Sequence, residues 1–79
     1  MSKLLLPELG EGIKKATIAC WHKNIGDQIQ TDEDVVEIVT DKATFSVCAQ
    51  STGRLKQIFY KEGQEANIGD VLAVIEPLS

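Results

Sequence analysis

An all-β fold of two paired sheets, a sandwich or small barrel, is what this sequence predicts, and three observations carry it. No segment sustains a 3.6-residue apolar period. Short apolar runs alternate instead with glycine, proline, asparagine and aspartate. The second half of the chain also repeats the first at an offset of 37 residues: Ile18 maps to Leu55, Trp21 to Ile58, Gly26 to Gly63, Val35 to Leu72 and Ile38 to Ile75. Each half then offers one apolar face, and neither face is buried until the halves close on each other. The expected result is a sheet pair with two-fold pseudo-symmetry.

The elements follow in chain order. Residues 4–6 make a first strand, broken by Pro7, and residues 7–12 form a loop with two glycines. Residues 17–23 make the next strand, ended by Asn24-Ile25-Gly26-Asp27. Residues 35–39 are rich in β-branched side chains, which suit a pleated surface. Residues 44–47 follow after a brief polar interruption, residues 55–60 follow Gly53, and residues 71–75 follow Gly69-Asp70. In both halves the first two apolar positions are three apart, which breaks strand alternation and predicts a bulge or bend in each copy. Gly26 and Gly63 are expected in turns that need permissive backbone angles. The domain is expected to span residues 1–76, with 77–79 beginning a linker to further domains of a longer chain.

Composition narrows the functional classes. Seventy-nine residues allow one domain, with little room for both a core and a deep catalytic cleft. The formal charge of −4, with acids at Asp32, Glu33, Asp34, Glu37 and Asp41, opposes nucleic acid as a partner. The acidic run reads as a solvated loop. No apolar run approaches the roughly 20 residues of a membrane span, and the N-terminus lacks a signal peptide's apolar stretch. The expectation is a cytoplasmic protein, or one of the mitochondrial matrix if the source is eukaryotic. Cys20 and Cys48 are expected as unpaired apolar fillers. One histidine, His22, and no metal-ligand spacing argue against a metal site.

The chemistry-bearing segment is Glu37-Ile38-Val39-Thr40-Asp41-Lys42-Ala43-Thr44-Phe45-Ser46-Val47. Two strand-like runs flank Thr40-Asp41-Lys42-Ala43, which suits a type I turn with Asp41 early in it. Lys42 then stands at a hairpin tip in water. A lysine there suits a carrier site: its amine can form an amide with a carboxylic acid cofactor, and its stem is long and flexible. Most hairpin lysines only solvate their turn, and Asp-Lys-Ala alone is weak evidence. Its place midway along a pseudo-repeat is what makes it informative, because the second copy's matching position is Ser79, at the chain end.

In their order, Leu6-Pro7-Glu8-Leu9-Gly10-Glu11-Gly12-Ile13, Trp21, Gly26-Asp27, Glu37-Ile38-Val39-Thr40-Asp41-Lys42-Ala43, Gly53, Gly63 and Ile68-Gly69-Asp70 resemble the lipoyl domain of the acyltransferase (E2) component of 2-oxo acid dehydrogenase complexes. The resemblance runs from Leu4 to Glu76. It implies a flattened barrel of two four-stranded antiparallel sheets, a barrel-sandwich hybrid. It implies lipoate on Lys42, flanked in the turn by Asp41 and Ala43. It implies that Glu8, Leu9, Gly10, Glu11 and Gly12, with Glu37 nearby, take part in partner recognition.

The implied cycle has a thiamine-dependent decarboxylase (E1) loading an acyl group on the arm. The E2 acyltransferase core passes that group to coenzyme A, and the flavin enzyme dihydrolipoamide dehydrogenase (E3) reoxidises the dithiol. A lipoyl ligase or transferase installs the cofactor. The domain itself is then a carrier with no catalytic residues, expected to be monomeric in isolation. Three positions depart from the family pattern: Val39 where an acid is common, no proline in residues 48–52, and Ala16 where glycine is common.

Rival readings are a biotin carrier, whose lysine is characteristically flanked by methionines rather than Asp41 and Ala43, and an unmodified interaction module. The glycine-cleavage H protein is longer, with extra helical segments. The Gly-Glu-Gly-Ile stretch and Tyr60 slightly resemble branched-chain complexes, with pyruvate and 2-oxoglutarate complexes left open.

Overall fold

The computed structural model describes residues 2–77. Its eight strands are β1 (Ser2–Leu5), β2 (Lys15–Trp21), β3 (Gln28–Ile29), β4 (Asp34–Val39), β5 (Thr44–Cys48), β6 (Gly53–Ile58), β7 (Glu65–Asn67) and β8 (Val71–Pro77). They form two four-stranded antiparallel sheets, ordered β1-β8-β6-β3 and β5-β4-β2-β7. Matching strands hold matching places, β6 for β2, β8 for β4 and β7 for β3.

The repeat is carried down to individual hydrogen bonds. Gly26 N donates to Leu55 O at 2.7 Å, and Gly63 N donates to Ile18 O at 2.8 Å. His22 N reaches Val35 O at 2.8 Å, and Phe59 N reaches Leu72 O at 2.9 Å. Both expected bulges are present: the β2–β4 register shifts between Ile18 and Cys20, and the β6–β8 register between Leu55 and Gln57. The extra residue turns Trp21 and Ile58 toward the core after Ile18 and Leu55 have already faced it. Gly26 and Gly63 sit at φ 98° and 89°, the left-handed region that glycine enters without a Cβ clash.

The inner faces meet in an aliphatic core that includes Leu6, Ile18, Ile29, Val35, Ile38, Leu55, Leu72 and Ile75. No polar or charged side chain is buried among the described residues. Burying one of these aliphatic side chains is worth roughly 1.5–3 kcal/mol. Gly53 lies where β6 crosses close to β8. A Cβ there would fall 2.6 Å from Ile75 Cγ2 and closer still to the Glu76 carbonyl oxygen. Its counterpart Ala16 carries a methyl group and is buried at 3% exposure, so the two strand crossings differ in clearance.

Several expectations are corrected. β3 and β7 are two strands that the apolar pattern does not announce, because each holds a single core residue, Ile29 or Ala66. Residues 22–23 and 59–60 lie beyond β2 and β6, and β8 continues through Pro77, which pairs with Gly53, one residue past the expected boundary. Leu78 and Ser79 lie outside the described residues. Cys48 is exposed rather than a filler, and Cys20 is only half-buried. The Cys20 thiol is pushed up by desolvation and then by the nearby Glu62 carboxylate. Glu33 is no idle member of the acidic run: it accepts Gln30 N–H at 3.0 Å and pairs with Lys23 at 2.9 Å.

Candidate functional site

β4 and β5 pair from Asp34↔Cys48 to Val39↔Thr44, so the chain must reverse within Thr40-Asp41-Lys42-Ala43. The ladder closes with Thr40 N donating to Ala43 O at 2.8 Å. The expected type I closure, from the fourth residue's N–H to the first residue's carbonyl, is replaced. Ala43 N donates to the Thr40 hydroxyl oxygen at 3.1 Å, Lys42 N donates to the same oxygen at 3.2 Å, and the hydroxyl donates to Ala43 O at 3.1 Å. A threonine side chain can stand in for a backbone acceptor in this way. Sequence reasoning missed Thr40; the signal available was a hydroxyl residue two before the lysine.

Lys42 is exposed, as are Asp41 and Ala43. Among the described residues its amine forms no ion pair, although Asp41 is adjacent in sequence. The amine reaches over the β1–β2 loop: a Cβ on Gly12 would lie 3.9 Å from Lys42 Nζ. Gly12 has φ 84° and Gly10 φ 133°, and Ile13 N bonds Gly10 O at 3.2 Å, so both glycines are used for a compact reversal. Lys14 O, accepting from Ile68 N at 2.9 Å, ties the end of this loop to the β7–β8 connection. Turn and loop together border a groove of about 470 Å³ lined by Gly12, Ile13, Lys15, Val39, Thr40 and Asp41, among others.

The residues expected at the recognition surface are spread. Gly12 lies at Lys42, and Gly10 and Glu11 are exposed in the same loop. Leu9 is half-buried and packs on the core, so it anchors the loop. Glu8 borders a different groove, beside Ser46 and Cys48. Glu37 is half-buried on β4, opposite Cys20 and Ser46, and does not line the groove at the turn. His22 is exposed and lies just past β2, while Trp21 is a half-buried wall whose indole N–H donates to Tyr60 O at 2.8 Å.

The turn can therefore present one primary amine to a modifying enzyme, which is what covalent attachment of a carboxylic acid requires. The Biotin_lipoyl family model, described as "Biotin-requiring enzyme", matches residues 2–75. A dihydrolipoyllysine-residue succinyltransferase component of the 2-oxoglutarate dehydrogenase complex from Rickettsia typhi is 38% identical over 98% of this chain and 19% of its own length. The Haemophilus influenzae protein of the same name is 44% identical over 78% of this chain and 15% of its own length. The chain thus spans about a fifth or less of the length of these curated relatives.

The solution structure of the lipoyl domain of the 2-oxoglutarate dehydrogenase complex from Azotobacter vinelandii superposes with a TM-score of 0.76 at 32% identity, covering 95% of each chain. Urea carboxylase from Kluyveromyces lactis matches with a TM-score of 0.77 at 26% identity, over 92% of this chain and 6% of that one. Lipoyl domains carry lipoate covalently on a lysine. The chain belongs to the biotin/lipoyl attachment family and is a lipoyl domain of the E2 acyltransferase kind.

Proposed function

We propose that Lys42 is the lipoyl attachment residue, and that the domain is the swinging-arm carrier of a 2-oxoglutarate dehydrogenase E2 chain. The observation that carries this is an exposed amine on a short turn, free of ion pairs among the described residues. Attachment needs the neutral amine to attack an activated carboxyl group. A C–N bond forms, the activating group leaves with its electron pair, and the surplus proton goes to water. Lipoate, when bound, supplies a dithiolane able to accept an acyl group and two electrons. The chain's own part is to hold the attachment point rigid and open, so that one tethered arm meets several active sites at high effective concentration.

E1, the E2 core and E3 are the proposed partners, with the Glu8–Gly12 stretch and Glu37 as the proposed recognition surface. A bacterial cytoplasm, or a mitochondrial matrix, is the proposed setting. The succinyltransferase relatives favour 2-oxoglutarate over the branched-chain leaning of the Gly-Glu-Gly-Ile stretch.

The test is intact mass after treatment with lipoyl ligase, lipoate and ATP. One lipoyl adduct is expected, and none in Lys42→Arg, which keeps the charge and removes the acylatable amine. An adduct persisting in Lys42→Arg overturns the site. A biotin carrier is the second reading, favoured by the shared family description. Asp41 and Ala43, in place of methionines, oppose it. Biotin ligase should therefore leave the mass unchanged.

A further inference from the structure

The turn bearing Lys42 has an unusual economy of bonds. Three of its four polar contacts run through a single atom, the Thr40 hydroxyl oxygen, which takes the N–H of Lys42 at 3.2 Å and of Ala43 at 3.1 Å while giving its proton to Ala43 O at 3.1 Å. The fourth is Thr40 N to Ala43 O at 2.8 Å. Every contact holding the tip therefore begins at residue 40. One of them fixes the backbone of Lys42 itself, and so the direction in which its stem departs.

We infer that Thr40 is the positioning residue for modification of Lys42, holding the turn in the one conformer that a lipoyl-attaching enzyme accepts; this rests on the reading of Lys42 as the attachment site. An enzyme that modifies one lysine among several must find it by geometry. In a hairpin, sliding the register by one residue sends every side chain to the opposite face. The main chain closes this turn through one bond alone, Thr40 N to Ala43 O, because the usual second bond to the Thr40 carbonyl is absent and Asp41 and Lys42 belong to no strand. The hydroxyl supplies the missing closure. Without it the turn samples other conformers, and apparent affinity falls by the fraction that remains competent. The loss should accordingly appear in KM. A group acting on the reacting atoms would instead lower kcat.

The test is steady-state lipoylation of the unmodified domain by lipoyl ligase, followed by intact mass, for the wild type and three variants. Thr40→Val keeps the shape and removes the hydroxyl. KM should rise about three- to tenfold with kcat unchanged, as expected for the loss of one net hydrogen bond. Thr40→Ser should restore the wild-type KM. Thr40→Asn should largely do so, because its side-chain oxygen can accept the same two N–H groups in an Asx turn.

Amide exchange in the unaltered domain gives a second readout that does not depend on any variant folding. Lys42 and Ala43 N–H should exchange at least several times more slowly than Asp41 N–H. An unchanged KM in folded Thr40→Val, a fall in kcat alone, a Thr40→Ser variant as poor as Thr40→Val, or unprotected Lys42 and Ala43 amides would each overturn the assignment. Failure of the attachment site itself is separate: it shows as an adduct on Lys42→Arg, whatever the Thr40 variants do.

Discussion

The loop entering β2 and the loop entering β6 occupy equivalent places in the two halves, yet they differ threefold in length. Gly69 N bonds Leu6 O at 2.9 Å, and Asp32 N bonds Ala49 O at 2.8 Å, so Leu6 and Ala49 are counterparts. Nine residues, 7–15, then separate Leu6 from Ala16, whereas three, 50–52, separate Ala49 from Gly53. Three residues are enough to close this architecture. The longer loop seats Leu9 against the core and lies beside Lys42, with Gly12 under its amine. The short loop faces the other pole, where Ser51 Oγ donates to Ser2 Oγ at 2.8 Å. The fold thus departs from its own symmetry at the end that carries Lys42, the proposed attachment residue.

The largest effect should come from erasing that difference. Replacing residues 7–15 with the Gln50-Ser51-Thr52 sequence should leave a folded domain, weakened by about 1–2 kcal/mol through loss of half-buried Leu9. Acylation by the proposed E1 partner should fall roughly a hundredfold, as when a recognition hot spot is lost. Lipoylation should remain within a few fold. Undiminished acylation in that chimera would break the comparison.

Next in size is the paired exchange at the strand crossings. Gly53→Ala forces a methyl group against Ile75 and the Glu76 carbonyl and should destabilise by about 2–4 kcal/mol in urea titration. Ala16→Gly at the equivalent place should lose only about 1 kcal/mol, from backbone entropy. Equal effects would mean that the two crossings have the same clearance after all.

The smallest effect separates two contacts at matching positions. Lys23–Glu33 at 2.9 Å is an ion pair; Tyr60–Asp70 at 2.8 Å is a hydrogen bond. The Gln30 N–H and then the Lys23 ammonium hold the Glu33 carboxyl below its ordinary range, while the Asn67 N–H and then the Tyr60 hydroxyl do so for Asp70. Both carboxylates thus add stability above their unfolded pKa that is lost as pH falls through the lowered folded value. At alkaline pH the second contact adds a response of its own. The Asp70 bond and then desolvation raise the Tyr60 phenol, so its contribution is complete below the unfolded tyrosine value and disappears as pH rises through the raised one. Tyr60→Phe should remove the Tyr60 part of the alkaline response and spare the Glu33 part of the acid response, read as melting temperature against pH.

Much of this was legible before any coordinates. Apolar pairs three apart, Ile18 with Trp21 and Leu55 with Ile58, announce both bulges, because a spacing of three cannot alternate on one strand face. Gly26 and Gly63 announced their turns through their equivalent places in the repeat. β3 and β7 stayed hidden because one inward side chain makes no pattern. Thr40 stayed hidden for another reason: a hydroxyl that closes a turn and one that merely faces water look alike until donors and acceptors have positions. Cys48 is exposed because alternation on the edge strand β5 sends an apolar residue outward as readily as a polar one.

In the β1–β8 pair, Ser2 faces Ile75 just as Phe45 faces Ile38 in the hairpin that carries the lysine. The two strand ends thus stand where a second tip would be. Circular permutation is the consequence: bridging Pro77 to Ser2 with a short reversal and opening the chain within residues 50–52 would retain every strand pairing. If Thr-Asp-Lys-Ala formed the bridge, one domain would present two lysine-bearing tips, one from each half of the repeat.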